Sequence, residues 1–374
     1  MSEYENPRPH YRLWPPSPET ITSLVTIGIA VACIAAGFAY VGGYLTPQRL
    51  TQARIIDRFE QINGVHPGFR RNHAKGVCIA GTFDSNGNGT ALSTAAVFEK
   101  GTTPVTGRFA VAVGKPFVPD NETEVRSMAL SFRLRDGEEW RTGMNDIPVF
   151  PVRNAQAFYE QMLAARPDPA TGKPDPSRMQ SFLAAHPETA KALQAIKARP
   201  FSTGFANASY NSLDAFRFVN GAGVSTPVRW SMEAVDPFVA EGQAGVNKSS
   251  PTDVNYLFDD LIARLAKGSV QWHLVVTIGT SDDATADATV AWPETRTRLT
   301  LGTLTIDRIA TEAPGNCSDV NFDPLVLPAG IAPSDDPLLS ARSATYSNSF
   351  RRRAAEAKTP SEVQVPNVTK GASP

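Results

Sequence analysis

Apolar and polar positions change their period several times along the chain. From Thr20 to Gln48 there is no charged residue, and Ile21–Leu45 reads ITSLVTIGIAVACIAAGFAYVGGYL. A helix of about 20 apolar residues crosses a bilayer core, so residues 21–45 are expected to form one transmembrane anchor. Residues 1–20 before it are polar and proline-rich and are expected to be a disordered tail. A buried core helix and a cleaved signal peptide are the competing readings of the apolar run. Glu3, Glu5, Glu19 and the Trp14-Pro15-Pro16 stretch are unlike the short basic start of a signal peptide. Arg8 and Arg12 precede the run and Arg49, Arg54 and Arg58 follow it, so charge alone leaves its orientation open.

Beyond the anchor, Leu50, Ala53, Ile56, Phe59 and Ile62 recur at helical spacing and stop at Asn63-Gly64. Strand patterns follow at Gly76–Phe83, Gly107–Val113 and Met128–Arg135; the last alternates Met128, Leu130, Phe132 and Leu134 with smaller or charged residues. Helices are expected over Asn154–Ala165, Pro176–Ala198 and Asp253–Ala266, and from Asp335 into Arg351-Arg352-Arg353. Further strands are expected around Ala215–Val219, Pro227–Ala234, Ser269–Ile278 and Leu299–Ile309. Many antiparallel strands with inserted helices read as α+β, with a β-barrel or sandwich at the centre. One folded domain is expected over residues 46–358, with a disordered tail over 359–374.

Composition narrows the picture. The 374 residues carry 36 lysines and arginines against 37 aspartates and glutamates, a formal net charge of −1. That balance gives no global attraction to nucleic acid, and none is expected as a partner. Three cysteines cannot build a disulfide framework, and Cys33, Cys78 and Cys317 lack the CxxC spacing of a zinc ribbon. Whether Cys78 and Cys317 pair is left open. Five histidines, none at metal-ligand spacing such as HxxxH, argue against a histidine-built metal site.

Three residues carry candidate chemistry. His73 lies in Arg70-Arg71-Asn72-His73-Ala74-Lys75-Gly76, just before a strand, where a surface loop histidine is the plain alternative. Tyr346 follows Arg342 by one helical turn; a neighbouring guanidinium favours phenolate, a known axial ligand of haem iron. Asn145 lies in Gly143-Met144-Asn145-Asp146-Ile147-Pro148, where an Asx turn before a strand is the plain alternative.

In this order and spacing, these motifs resemble the haem catalase superfamily and, within it, the short catalase-related peroxidases. Residues 70–76 match R-x-x-H-A-K-G, and Asn145 with Pro148 matches N-x-x-P. Ala291-Trp292-Pro293 is similar to V-W-P. Phe322-Asp323-Pro324 with Pro328–Ser334 is similar to F-D-P…P-P-G-I-E-P-S, and Arg342 and Tyr346 match R-x-x-x-Y. The resemblance spans roughly residues 55–355. It implies a catalase-like antiparallel β-barrel with inserted helices, behind one transmembrane helix. It implies haem b as cofactor, His73 and Asn145 as catalytic residues, and Tyr346 as axial iron ligand. Arg70, Arg108 and Arg353 would hold haem propionates, Arg342 would support Tyr346, and Phe158 would stack on the haem.

The sequence also departs from the pattern. Ala110 stands where the family has a serine bonded to the distal histidine, and Phe350 where catalases commonly have histidine. Few residues of this sequence follow Tyr346, so the long C-terminal helical region of full catalases is expected to be absent, and NADPH is not expected as a cofactor. The expected function is therefore a haem peroxidase that reduces organic hydroperoxides or hydrogen peroxide through a ferryl intermediate, using a small-molecule electron donor. A true catalase and a membrane-tethered, non-catalytic haem-binding protein are the alternatives. A homodimer is allowed, and the catalytic domain is expected on the periplasmic side of the cell membrane.

Overall fold

The structure, a computed structural model, describes residues 17–42, 44–45, 50–168, 171–241 and 253–366. The chain divides into two units, residues 1–51 and 52–374. In the first, helix α1 (Pro18–Val41) starts on a Ser17 cap that accepts from Thr20 N, and Gly42 ends it. Its mean hydropathy of 2.3 makes it long and apolar enough to cross a membrane, a test that a signal sequence also passes. The helix takes in residues 18–20, which the sequence reading assigned to the tail. It stops four residues before Leu45, where the expected span ends. Ser17 of the expected tail caps the helix, and residues 1–16 lie outside the described residues.

In the second unit, α2 (Gln52–Asn63) is followed by four successive antiparallel strands: β1 (Gly76–Ser85), β2 (Gly101–Val111), β3 (Arg126–Arg133) and β4 (Glu139–Asn145). The sequence reading missed β4, although Trp140, Thr142 and Met144 are buried at strand period, alternating with Glu139, Arg141, Gly143 and Asn145. Helices α3 (Ala155–Ala164), α4 (Pro176–Ala185) and α5 (Pro187–Ala198) come next. The single helix expected over 176–198 is broken at His186 because Pro187 has no amide hydrogen to continue it and begins α5 instead.

Strands β5 (Tyr210–Asn211), β6 (Phe216–Val219) and β7 (Ser225–Ala234) precede helix α6 (Tyr256–Lys267). Strands β8 (Val270–Ile278), β9 (Arg298–Ala310) and β10 (Ile331–Pro333) lead into helix α7 (Pro337–Ala354).

Hydrogen bonding runs β7-β5-β4-β3-β2-β1-β9-β8, and β8 pairs back onto β7. Eight antiparallel strands thus close into a barrel, with β6 and β10 extending it. The closed ring leaves no free edge, and its interior is filled by Trp140, Trp230, Trp272, Phe109, Phe132 and their neighbours. The C-terminal boundary moves. Ser361 and Val363 are buried, and Val365 N donates to Thr311 Oγ1 at 2.7 Å, so packing against the domain continues to residue 365 rather than ending at 358. The remainder of the expected C-terminal tail, 367–374, lies outside the described residues.

Candidate active site

Strand register sets the floor of the site. One cross-strand row on the outer barrel face runs Gly76–Ala110–Ser127–Asn145, and the next runs Cys78–Arg108–Ala129–Gly143. These positions alternate with core residues Val77, Phe109, Met128 and Met144, so the two rows face away from the barrel interior. The 70–76 segment and helices α2, α3 and α7 contribute the remaining walls of a cavity of about 1230 Å³, open mouth included. His73, Asn145, Arg70, Arg108, Phe158, Arg342, Tyr346 and Arg353 all line it. The structure therefore brings together every site residue expected from the sequence. Asn145 is the last residue of β4 rather than part of a turn preceding a strand.

His73 is half-buried and sits at φ 54°, left-handed backbone that few side chains adopt. Its Nδ1 lies 3.0 Å from Ser127 Oγ, and that hydroxyl donates to Asn145 Oδ1 at 2.5 Å. A hydroxyl has one proton. Because it goes to Asn145, Ser127 must accept from His73 Nδ1–H, which leaves His73 Nε2 as the ring's lone-pair nitrogen. The Asn145 carbonyl is tied down as well, so its amide donors are the end left to act. Burial, then Arg108, Arg342 and Arg70, lower the His73 pKa to about 3, so the imidazole is neutral at ordinary pH. The expectation that Ala110 deprives His73 of a hydroxyl partner is thereby corrected. Residue 127 is the cross-strand neighbour of residue 110, and the serine stands one strand over.

Arg342 and Tyr346 lie one turn apart on α7 and share a side-chain hydrogen bond. A Cβ added at Gly143 would come within 3.4 Å of Tyr346 Oη, which places the hydroxyl over that row of the sheet. Arg342 Nη1 donates to the buried Asp214, and Arg342 Nη2 to Gly143 O at 3.4 Å. Neither Asp214 nor Ser127 was picked out from the sequence.

At the other end of the cavity two arginines converge on one carboxylate, with Arg353 beside them. Glu312 accepts from Arg108 at 2.7 and 2.9 Å and from Arg70 at 3.0 Å. Arg70 also donates to the carbonyls of Cys317 and Val320, and Arg353 to those of Ser318 and Val320. Gly76 is needed here, because a Cβ would stand 2.4 Å from the Arg108 guanidinium. Burial, then Arg108 and Arg353, push Arg70 well below its ordinary value; burial, then Arg108, lower Arg353 to about 10. Cys78 and Cys317 form a disulfide that ties the carbonyl-bearing loop to β1. The missed residue Glu312 lies with its carboxylate within 4.8 Å of both sulfurs.

Three guanidiniums against one carboxylate leave an excess of two positive charges around a half-buried cavity. A flat dianion satisfies that excess, and a tyrosine with an arginine beside it supplies an oxygen ligand for ferric iron. Phe158, flanked by Phe59 at 5.8 Å and Phe150 at 6.1 Å, supplies an aromatic wall. The donor set fits a haem.

Comparison with known proteins agrees with this geometry. The catalase family model matches residues 42–370, and the chain belongs to that family. Within it, the chain is 34% identical to the catalase-related peroxidase of Synechococcus elongatus, across 87% of this chain and 96% of that protein. The catalase-related peroxidase of Mycolicibacterium paratuberculosis is 32% identical over 81% of this chain and 95% of its own length. A catalase of Pseudomonas aeruginosa is 27% identical, with 60% of its length covered. Among solved structures, a bacterial catalase superposes with a TM-score of 0.67 at 21% identity, covering 82% of this chain and 61% of that one.

Proposed function

We propose that this protein is a membrane-tethered, haem b-dependent peroxidase that reduces hydrogen peroxide or organic hydroperoxides at the expense of a small-molecule electron donor. At the coarser level it is a peroxide-handling enzyme of the catalase fold and an oxidoreductase. The observation that carries the finer reading is the distal trio: a neutral His73 with Nε2 free, oriented by Ser127, next to an Asn145 whose amide donors are free.

The reaction is ROOH + 2e⁻ + 2H⁺ → ROH + H₂O. Bound haem supplies the iron at which the O–O bond is cleaved and passes on the donor's electrons. Tyr346 would supply an oxygen ligand to its iron, and Arg70, Arg108 and Arg353 would hold its carboxylates. His73 Nε2 takes the proton from the peroxide hydroxyl and returns it to the departing oxygen, the two transfers a neutral imidazole can perform at one site. The Asn145 amide donates to the peroxide oxygen on which charge develops. The apolar wall of Ile55, Ile56, Phe59, Phe150 and Phe158 can take the alkyl part of an organic hydroperoxide.

The buried disulfide supports placing this domain outside the cytoplasm, because disulfides persist in oxidising compartments. The assay that tests the function compares oxygen release from hydrogen peroxide with donor oxidation by hydrogen peroxide and by a tertiary alkyl hydroperoxide. Donor oxidation exceeding oxygen release is expected. Vigorous oxygen release with negligible donor oxidation would mean a catalase instead.

A further inference from the structure

Two residues beyond His73 stands a fully buried ion pair that the reaction just described does not use. Lys75 Nζ lies 2.6 Å from Asp120 Oδ1, and both side chains are 0% exposed. The ammonium also donates to Val118 O and Val254 O, each at 2.8 Å, and sits 5.6 Å from the centre of the Phe258 ring. Asp120 Oδ2 accepts from Leu257 N at 2.9 Å in the first turn of α6, and Asp120 N donates to Val254 O at 3.0 Å. Neither Lys75 nor Asp120 is among the residues that line the cavity.

We propose that Lys75, held by Asp120, is a positioning residue for His73: the pair fixes the chain on the C-terminal side of His73 and so keeps its ring against Ser127. The inference rests on reading His73 as the proton carrier. Among the described residues only His73 and Leu213, just before Asp214, place a side chain on left-handed backbone, at φ 54° and 66°. Such a conformation persists where the surroundings fix the chain around it. On the N-terminal side of His73, Arg71 pairs with Glu60 at 2.8 Å and with Glu356. On the C-terminal side, Ala74 N donates to Val113 O at 2.8 Å, and the Ala74 carbonyl accepts from Arg108 Nη2 at 3.2 Å. Lys75 supplies the next hold, so a shift of Lys75 is carried to His73 through Ala74 alone.

Stability alone does not call for a charge at this place. Phe258, the ring beside the ammonium, belongs to the barrel core, and methionine has the length to reach it. Apolar residues of similar volume commonly match or exceed a buried ion pair in stability, because desolvation offsets the attraction between the charges. Burial raises the Asp120 carboxyl even against the Lys75 charge and the Leu257 amide. What the pair supplies is direction. Apolar packing tolerates sliding, whereas an ammonium held by two carbonyls and a carboxylate is fixed from three sides. Without that hold, residue 73 is free to relax toward an ordinary φ, and its Nδ1 leaves the Ser127 hydroxyl that now lies 3.0 Å away.

The double variant Lys75→Met/Asp120→Asn tests this, since it removes both charges, nearly keeps both volumes and leaves an acceptor for Leu257 N. In the full-length, haem-loaded protein it should slow the peroxide reaction roughly tenfold or more by stopped-flow absorbance. In a His73→Ala background the same two changes should slow it by less than about twofold, because nothing is left to position. Equal slowing in the two backgrounds, or a double variant as fast as wild type, overturns the proposal. A crystal structure of the double variant reads the position directly. It should show residue 73 off its left-handed φ or the ring parted from Ser127 Oγ, and retention of both overturns the proposal as well. If the double variant does not fold, Asp120→Asn alone leaves the ammonium its two carbonyls and should show a smaller slowing, again confined to the protein that retains His73; equal slowing in both backgrounds overturns the proposal here too. Failure of the proton-carrier reading is separately visible: His73→Ala at the wild-type rate rejects that role, while the crystal structure still decides whether Lys75 positions residue 73.

Discussion

Ser127 passes its one proton to Asn145 Oδ1, and this fixes the tautomer of His73 and the direction of the Asn145 amide together. Ser127→Ala should leave Nδ1–H without its acceptor, a loss of about 1 kcal/mol of orientation, and slow the peroxide reaction roughly five- to tenfold. Because residue 110 pairs with residue 127 across the strands, the double variant Ser127→Ala/Ala110→Ser should recover part of that loss. Stopped-flow absorbance after peroxide mixing reads both; a Ser127→Ala rate equal to wild type would remove the hydroxyl from the mechanism. His73→Ala should cost about 10²-fold or more, the scale for a general acid–base group.

The depressed pKa of His73 adds a pH effect whose sign follows from linkage. The unfolded chain takes up a proton on this ring near 6.5, and the folded chain does not until about 3. Stability from this residue is therefore complete above pH 6.5 and declines as pH falls toward 3. Thermal unfolding between pH 4 and 7 should show a shallower acid decline in His73→Ala, while the wild-type peroxide rate shows no His73 titration above pH 5.

At the scale of elements, the segment between β9 and β10 holds the cationic end of the cavity. It supplies Glu312 and the carbonyls of Cys317, Ser318 and Val320, and its one covalent tie is the bond from Cys317 to Cys78 on β1. Cutting that tie with Cys78→Ser/Cys317→Ser should lower stability by about 2–4 kcal/mol and weaken haem retention. Haem transfer to an apoglobin acceptor measures the second effect, and an unchanged transfer rate would limit the disulfide to a stabilising role.

Burial works to raise Glu312, but Arg108 first and then Arg70 and Arg353 outweigh it and hold the carboxyl below its ordinary range. Its stabilising contribution is therefore present above that range and is lost on acidification. This segment also shows where reading the sequence reached its limit. His73, Asn145, Arg342 and Tyr346 were legible because each lies in a contiguous motif whose spacing survives folding. Ser127, Asp214 and Glu312 reach the site through strand register, a strained turn and a loop folded back over β1, so no local pattern marks them. The helix break at His186-Pro187 was written in the sequence as a proline; β4 was masked by Glu139 and Arg141, which alternate with its buried residues.

Considered as a whole molecule, the chain joins an apolar helix to a domain whose cavity is built almost entirely from residue 55 onward. Where the catalytic unit begins is set by α2. Ile55 and Ile56 are buried, and together with Phe59 they line the cavity. Glu60 and Asp57 on the same helix pair with Arg71 and Arg352, which join α2 to the 70–76 segment and to α7. Two deletions therefore separate anchoring from catalysis. Removing residues 1–46 takes away α1 and leaves α2 complete, so the product should be soluble without detergent and should oxidise donor at close to the full-length rate. Removing residues 1–63 exposes the apolar face of the cavity wall, leaves Arg352 without Asp57 and Glu60, and leaves Arg71 with Glu356 alone. That product should bind haem poorly and melt at a lower temperature. Membrane fractionation, haem content and donor oxidation of the two deletions decide the matter. If the shorter deletion loses haem as completely as the longer one, the N-terminal unit is part of the catalytic fold, and reading α1 as a separable tether is wrong.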